Sequence, residues 1–159
     1  MKKLIFAFII LVMSVNQLKS QNPEKSEISK NIMYLEFGTN IIVSSFNFNY
    51  ERHFLTSKSE NLHLYGRAGF GAAAIYWGHV GFGGLLAATM ITGKGNHYFE
   101  ASGGLFLGYE TPPPAGGSGT YFPVPLLDFG YRYQKPGKGF LFRAKAGILG
   151  IGVGLGYAF

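Results

Sequence analysis

The chain has 159 residues, room for one domain, and no cysteine, which excludes disulfides, thiol chemistry and an acylated lipoprotein N-terminus. Its formal charge of +6 comes from scattered Lys and Arg with no basic run or basic helix, so a nucleic-acid partner has no electrostatic footprint. Twenty-four glycines, 16% aromatic residues and only 14% charged residues are an odd composition for a soluble domain.

Residues 1–20 read as a cleaved secretory signal peptide. Lys2 and Lys3 supply the positive n-region, Leu4 to Val15 the apolar h-region, and Leu18-Lys19-Ser20 ahead of Gln21 the cleavage site. The apolar run falls short of the ~20 residues of a spanning helix; an uncleaved anchor is the competing reading. Losing Lys2, Lys3 and Lys19 lowers the net charge from +6 to +3. Residues 21–30 form a polar leader containing Pro23, expected to lie loose in the periplasm.

From 31 to 159 the pattern predicts eight strands. Asn31 to Thr39 sets Met33, Leu35 and Phe37 against Tyr34 and Glu36. Ser44 to Phe54 alternates Phe46, Phe48 and Tyr50 with Asn47, Asn49, Glu51 and His53. Leu62 to Ala74 sets Leu62, Leu64, Ala68 and Phe70 against His63, Tyr65 and Arg67, and a short connection carries the only tryptophan, Trp77. Val80 to Ile91 is rich in Gly and Ala; taken by itself, Leu85 to Ile91 also suits a turn of helix. His97 to Glu110 alternates Phe99, Ala101, Leu105, Leu107 and Tyr109 with Glu100, Ser102 and Gly104, and Thr111 to Thr120 is the one long loop. Tyr121 to Tyr133 places Leu127, Phe129 and Tyr131 opposite Asp128 and Arg132. Pro123 and Pro125 put the start of that strand at the rim. Phe140 to Leu149 sets Phe142, Ala144 and Ala146 against Arg143 and Lys145.

The final stretch, Gly150 to Phe159, places Val153, Leu155, Tyr157 and Phe159 on one parity and Gly152, Gly154, Gly156 and Ala158 on the other. One face is bulky and apolar, the other nearly bare backbone. A hydrophobic strand of this kind suits a barrel whose last strand closes on its first and faces lipid. The expected fold is all-β: an eight-stranded antiparallel up-and-down transmembrane β-barrel with a side-chain-filled lumen. The short polar turns at Ser57 to Asn61, Thr92 to Asn96 and Gln134 to Gly139 then share the periplasmic side with both termini.

NYERHF at Asn49 to Phe54, GNHYFEASGGLFLGYE at Gly95 to Glu110, FGYRYQKPGKGFLFRAKAG at Phe129 to Gly147 and the closing LGYAF resemble a family of small outer-membrane β-barrel proteins of Bacteroidetes-type bacteria. A Ser-Gln cleavage point is common in such secretomes. The resemblance covers most of the mature chain through scaffold motifs, and most members have no assigned function. The closing Tyr157 and Phe159 resemble the C-terminal signal read by the outer-membrane insertion machinery. The resemblance thus implies residence in the outer membrane, with lipid and that machinery as partners, and a monomer.

Opposite the apolar face lie Glu36, Glu51, Glu100 and Asp128 with Arg67, Arg132, Arg143 and Lys145. Four acids and four bases in a lumen just wide enough for side chains predict a plugged, charge-paired core and not an open porin. Arg52 is the strand charge that shares parity with apolar neighbours, close enough to a turn to snorkel. Tyr131, Tyr133, Phe140, Phe142, Tyr157 and Phe159 read as half of an aromatic girdle. The glycine run from Gly150 to Gly156 has period two and no following Lys-Ser/Thr, so it is a strand and not a phosphate loop. His53, His63, His79 and His97 lie on separate segments without an i, i+4 pair, so neither a metal site nor a cofactor is expected. The expected role is structural or interactive. A lipid A acylhydrolase-like enzyme with Ser44 or Ser45, His79 and Glu110 at the outer rim is the alternative. A secreted barrel around an apolar ligand would need apolar residues on the charged face.

Overall fold

The computed structural model describes residues 28–40, 43–75, 79–110 and 119–159, with only the backbone at Val43, Ile75, His79 and Lys94. The expected signal peptide, residues 21–27 of the leader, Trp77 and most of the Thr111–Thr120 loop lie outside the described residues. Eight strands follow in order: β1 (Asn31–Thr39), β2 (Val43–Thr56), β3 (Leu62–Ile75), β4 (His79–Lys94), β5 (His97–Glu110), β6 (Thr120–Gln134), β7 (Gly139–Gly147) and β8 (Gly150–Ala158). Each pairs antiparallel with the next, and β1 with β8, so the sheet closes into a barrel.

β1 and β5 have the expected bounds; β2 and β4 run longer. The helical alternative for Leu85 to Ile91 is overturned. The segment lies in ladders with β3 and β5, with Leu85, Thr89 and Ile91 facing inward and Phe82 and Leu86 outward. Paired on both edges, its backbone groups are satisfied without a helix. β7 stops at Gly147, earlier than the expected Leu149, and Ile148-Leu149 make a two-residue turn. Gly95-Asn96 joins β4 to β5. The left-handed φ of 69° at Gly95, with no positive φ at Asn96, gives a type II′ hairpin, whose twist matches the strands.

One end of the barrel carries the β2–β3, β4–β5 and β6–β7 turns and residues 28–30; it is called the terminal end. The other, the loop end, carries the remaining connections. The expectation of a loose leader is corrected at its last residues. Ser29 is buried, donates to Gly137 O and accepts from Tyr65 OH at 3.1 Å, while Ile28 packs against a cluster formed by Ile32, Tyr34, Tyr65, Ile91, Tyr98, Leu141 and Ala158. Apolar burial and two hydrogen bonds hold this stretch in the terminal mouth.

At the loop end β6 outruns β7. Its register with β7 begins at Asp128, so Thr120–Leu127 pairs with β5 alone. Ile148 N donates to Leu127 O at 3.1 Å, so residue 127 points its polar backbone toward the β7 side. Residues two and four positions back point the same way, and these are Pro125 and Pro123. The free edge therefore lacks two N–H donors, which blunts it as a template for another strand.

Large apolar side chains stand exposed on the outward face of every strand, among them Leu35, Phe46, Phe70, Leu86, Leu107, Phe129, Phe140 and Leu155. Charge is gathered inside.

Candidate functional site in the barrel lumen

The inward parity of six strands delivers Glu36 (β1), Glu51 (β2), Arg67 (β3), Glu100 (β5), Asp128 and Arg132 (β6), and Arg143 and Lys145 (β7) to the lumen. All but Lys145 are buried to within 3% of full enclosure, and its side chain is nearly so. Registers put Glu51 beside Arg67, but they also put Arg132 directly beside Arg143. Like charges at opposed positions repel, so this pair persists only with anions between its heads.

Three carboxylates supply them. Arg132 donates from Nη2 to Glu51 Oε2 at 2.6 Å and from Nε to Glu100 Oε2 at 2.5 Å. Arg143 reaches Glu100 Oε1, sits 3.0 Å from Glu36 Oε2 and donates to Tyr34 OH. Tyr34 OH in turn donates to Glu51 Oε1 at 2.7 Å. Arg67 donates to Glu36 Oε1 at 2.9 Å and to Asn49 Oδ1 at 3.0 Å. Lys145 Nζ lies 2.8 Å from both Glu36 Oε1 and Asp128 Oδ2. Tyr34 carries the guanidinium groups of Arg143 and Arg67 over its ring, at 4.7 and 5.5 Å from the centroid, and Arg132 lies 5.5 Å from the Tyr65 centroid. Four acids and four bases thus share one connected network.

Neighbouring glycines give these long side chains their space. Gly154 stands between Glu36 on β1 and Arg143 on β7, and a Cβ built on it would lie 2.6 Å from Arg143 Cγ. A Cβ at Gly152 would meet Lys145 Cε at 3.1 Å. The bare inner face of β8 is the floor across which the β7 bases reach β1.

Toward the loop end the lining changes. Leu85, Phe106 and Leu126 form a buried cluster backed by Phe122, Val124 and Leu149. The charged parity is therefore not charged throughout: on β4–β6 it continues through Leu85, Phe106 and Leu126. Between cluster and network lies a cavity of about 20 Å³, room for a single water. Asn47 Oδ1 and Arg67 Nη1 belong to residues lining it and have no hydrogen-bond partner among the described residues.

Ser44 and Thr39 share a hydrogen bond between hydroxyls at 3.0 Å, whereas Ser45 lines the lumen cavity, so the two serines face opposite ways. Glu110 pairs in register with Gly81, two residues along β4 from His79, whose side chain lies outside the described residues. Tyr157 and Phe159 face outward, and the Phe159 backbone exchanges bonds of 2.8 and 2.9 Å with Asn31, carrying the β1–β8 seam to the last residue. Among the described residues no group of three or more His, Cys, Asp or Glu could hold a metal. The structure does bring His53 and His63 together across β2 and β3, which their sequence separation did not reveal.

No protein-family model matches the chain, and no curated protein matches it.

Proposed function

We propose that the chain is a bacterial outer-membrane protein: an up-and-down transmembrane barrel over residues 31–159, exported by a signal peptide cleaved before Gln21. It belongs, on this reading, with the small outer-membrane barrels its motifs resemble. It acts as a monomeric structural or interaction protein, with lipid and the insertion machinery as its partners.

One observation carries this reading. Exposed large apolar side chains encircle the barrel on all eight strands while the eight lumen charges are buried, the reverse of a soluble protein's distribution. A belt of this extent far exceeds the apolar patches a soluble monomer tolerates. The stoppered lumen supports a protein that does not conduct: Arg132 and Arg143 are fully enclosed and bridged by carboxylates.

The test is expression of the full chain in a bacterium with two membranes. Recovery from the outer-membrane fraction, with a mass beginning at Gln21 and heat-modifiable gel mobility, is expected. In lipid vesicles, Leu127→Arg on the outward face should cost about 2–4 kcal/mol near the midplane. Recovery as a soluble monomer, with Leu127→Arg neutral in vesicles, would overturn the proposal.

A further inference from the structure

At the terminal end, β2 carries a bulge between His53 and Leu55: His53 stands opposite Tyr65, Leu55 opposite Leu64 and Thr56 opposite His63. The extra residue turns Thr56 to the same side as the two histidines. A bulge of this kind re-aims side chains and is over-represented beside functional sites. Here it makes two ring nitrogens converge on one oxygen. His53 Nε2 lies 2.9 Å and His63 Nδ1 3.0 Å from Thr56 Oγ1, with ring centroids 5.9 Å apart.

The proton inventory of this trio is informative. The His63 ring also hydrogen-bonds the backbone of Glu60, a residue held at a left-handed φ of 55°. The hydroxyl carries one proton, so one ring accepts it and the other donates its own N–H to Oγ1.

We propose that His53 and His63 form a binding site for one divalent transition metal ion of the imidazole-preferring class, Zn²⁺, Ni²⁺ or Cu²⁺. Binding requires the rings to close on the ion to about 2.0–2.1 Å for zinc, displacing the Thr56 hydroxyl from between them. Each ring presents one lone pair to the ion, from Nε2 of His53 and Nδ1 of His63, and keeps its proton on the other nitrogen, so no net proton is lost from two neutral histidines. Water fills the remaining positions. His63 is buried and tethered, whereas His53 is half-exposed, so one ligand is preset and the other has access to solvent. The site stands whether or not the barrel lies in a membrane.

The experiment titrates the folded full chain with Zn²⁺ by calorimetry and records the Cu²⁺ electron paramagnetic resonance spectrum. One ion per chain is expected, with a two-nitrogen hyperfine pattern. His53→Asn and His63→Asn should each weaken binding by at least about 10–100-fold. His97→Asn, at the same end but outside the pair, should leave it unchanged, and Thr56→Val should retain it, since the hydroxyl competes with the ion. No binding at millimolar Zn²⁺, or equal affinity in either histidine variant, overturns the proposal. Should those variants not fold, the wild-type Cu²⁺ spectrum decides, and a pattern without two nitrogens sinks the site.

Discussion

The middle of the lumen and its loop-end half solve the same packing problem with opposite chemistry. Both lay long or bulky side chains over glycine. Arg143 crosses Gly154, and the Phe122 ring lies over Gly108, where an added Cβ would come within 2.3 Å of it. What crosses the glycine differs in its dependence on neighbours. Leu85, Phe106 and Leu126 fill space, and each contributes what it removes from water. In the charged layer each side chain holds others in place: Glu100 touches both Arg132 and Arg143, and Glu36 is shared by Arg67, Arg143 and Lys145. The apolar half is a local fill, the charged half a mutual one, and a mutual arrangement loses more when one member is removed.

The largest effect is accordingly expected from Arg143→Met. It preserves much of the volume but leaves Glu36, Glu51 and Glu100 without the cation all three approach. Removing one partner of a buried pair costs about 3–5 kcal/mol, and this site should lie at the upper end of that range. Urea unfolding in lipid vesicles measures it. Adding Glu100→Gln should restore part of the loss, with a coupling of about 0.5–3 kcal/mol. Strict additivity of the two changes would mean that the layer is a set of independent pairs.

Leu126→Ala probes the other half and should cost about 2–3 kcal/mol, low for a buried leucine because the site adjoins the cavity and can take up water. Combined with Arg143→Met its cost should add within about 0.5 kcal/mol, as for sites with no shared partner. A larger coupling in the same unfolding assay would show that the two halves of the lumen are one cooperative unit, and the contrast between them would fail.

The strands were legible because period two survives even where apolar signal is diluted, and the charges of β1–β3 and β5–β7 fell on one parity except for Arg52. The apolar half was hidden by runs. In Leu105-Phe106-Leu107 every residue is apolar, so hydrophobicity alone does not tell which one turns inward; the parity carried on from Glu100 and Ser102, which sets Leu105 and Leu107 outward, leaves Phe106 inside. Ion-pair partners were not legible at all. Glu51 and Arg132 meet across the lumen from β2 to β6, and such meetings depend on the accumulated stagger of strands that are not neighbours. The His53–His63 approach depends on a bulge that no residue pattern in NYERHF announces.

The smallest effects sharpen the point about glycine, because the chain has glycines of both kinds. At Gly154 a methyl group would stand 2.6 Å from Arg143 Cγ and 2.9 Å from Cδ, near the root of a fully enclosed side chain that cannot swing away. Gly154→Ala should therefore cost about 1–3 kcal/mol, the usual penalty of overpacking, and it should weaken the Arg143 contacts with them. At Gly103, on the outward face of β5, an added Cβ meets nothing within 4 Å, and the backbone is not in the left-handed region. Gly103→Ala then acts mainly on the unfolded chain, whose freedom it reduces, and should stabilise by about 0.4–1 kcal/mol. Opposite signs from one added methyl, read as a drop and a rise in the urea midpoint, are the expected pair. Equal effects at both positions would mean that β8 is not the floor of the charged layer and that Arg143 reaches β1 by another path.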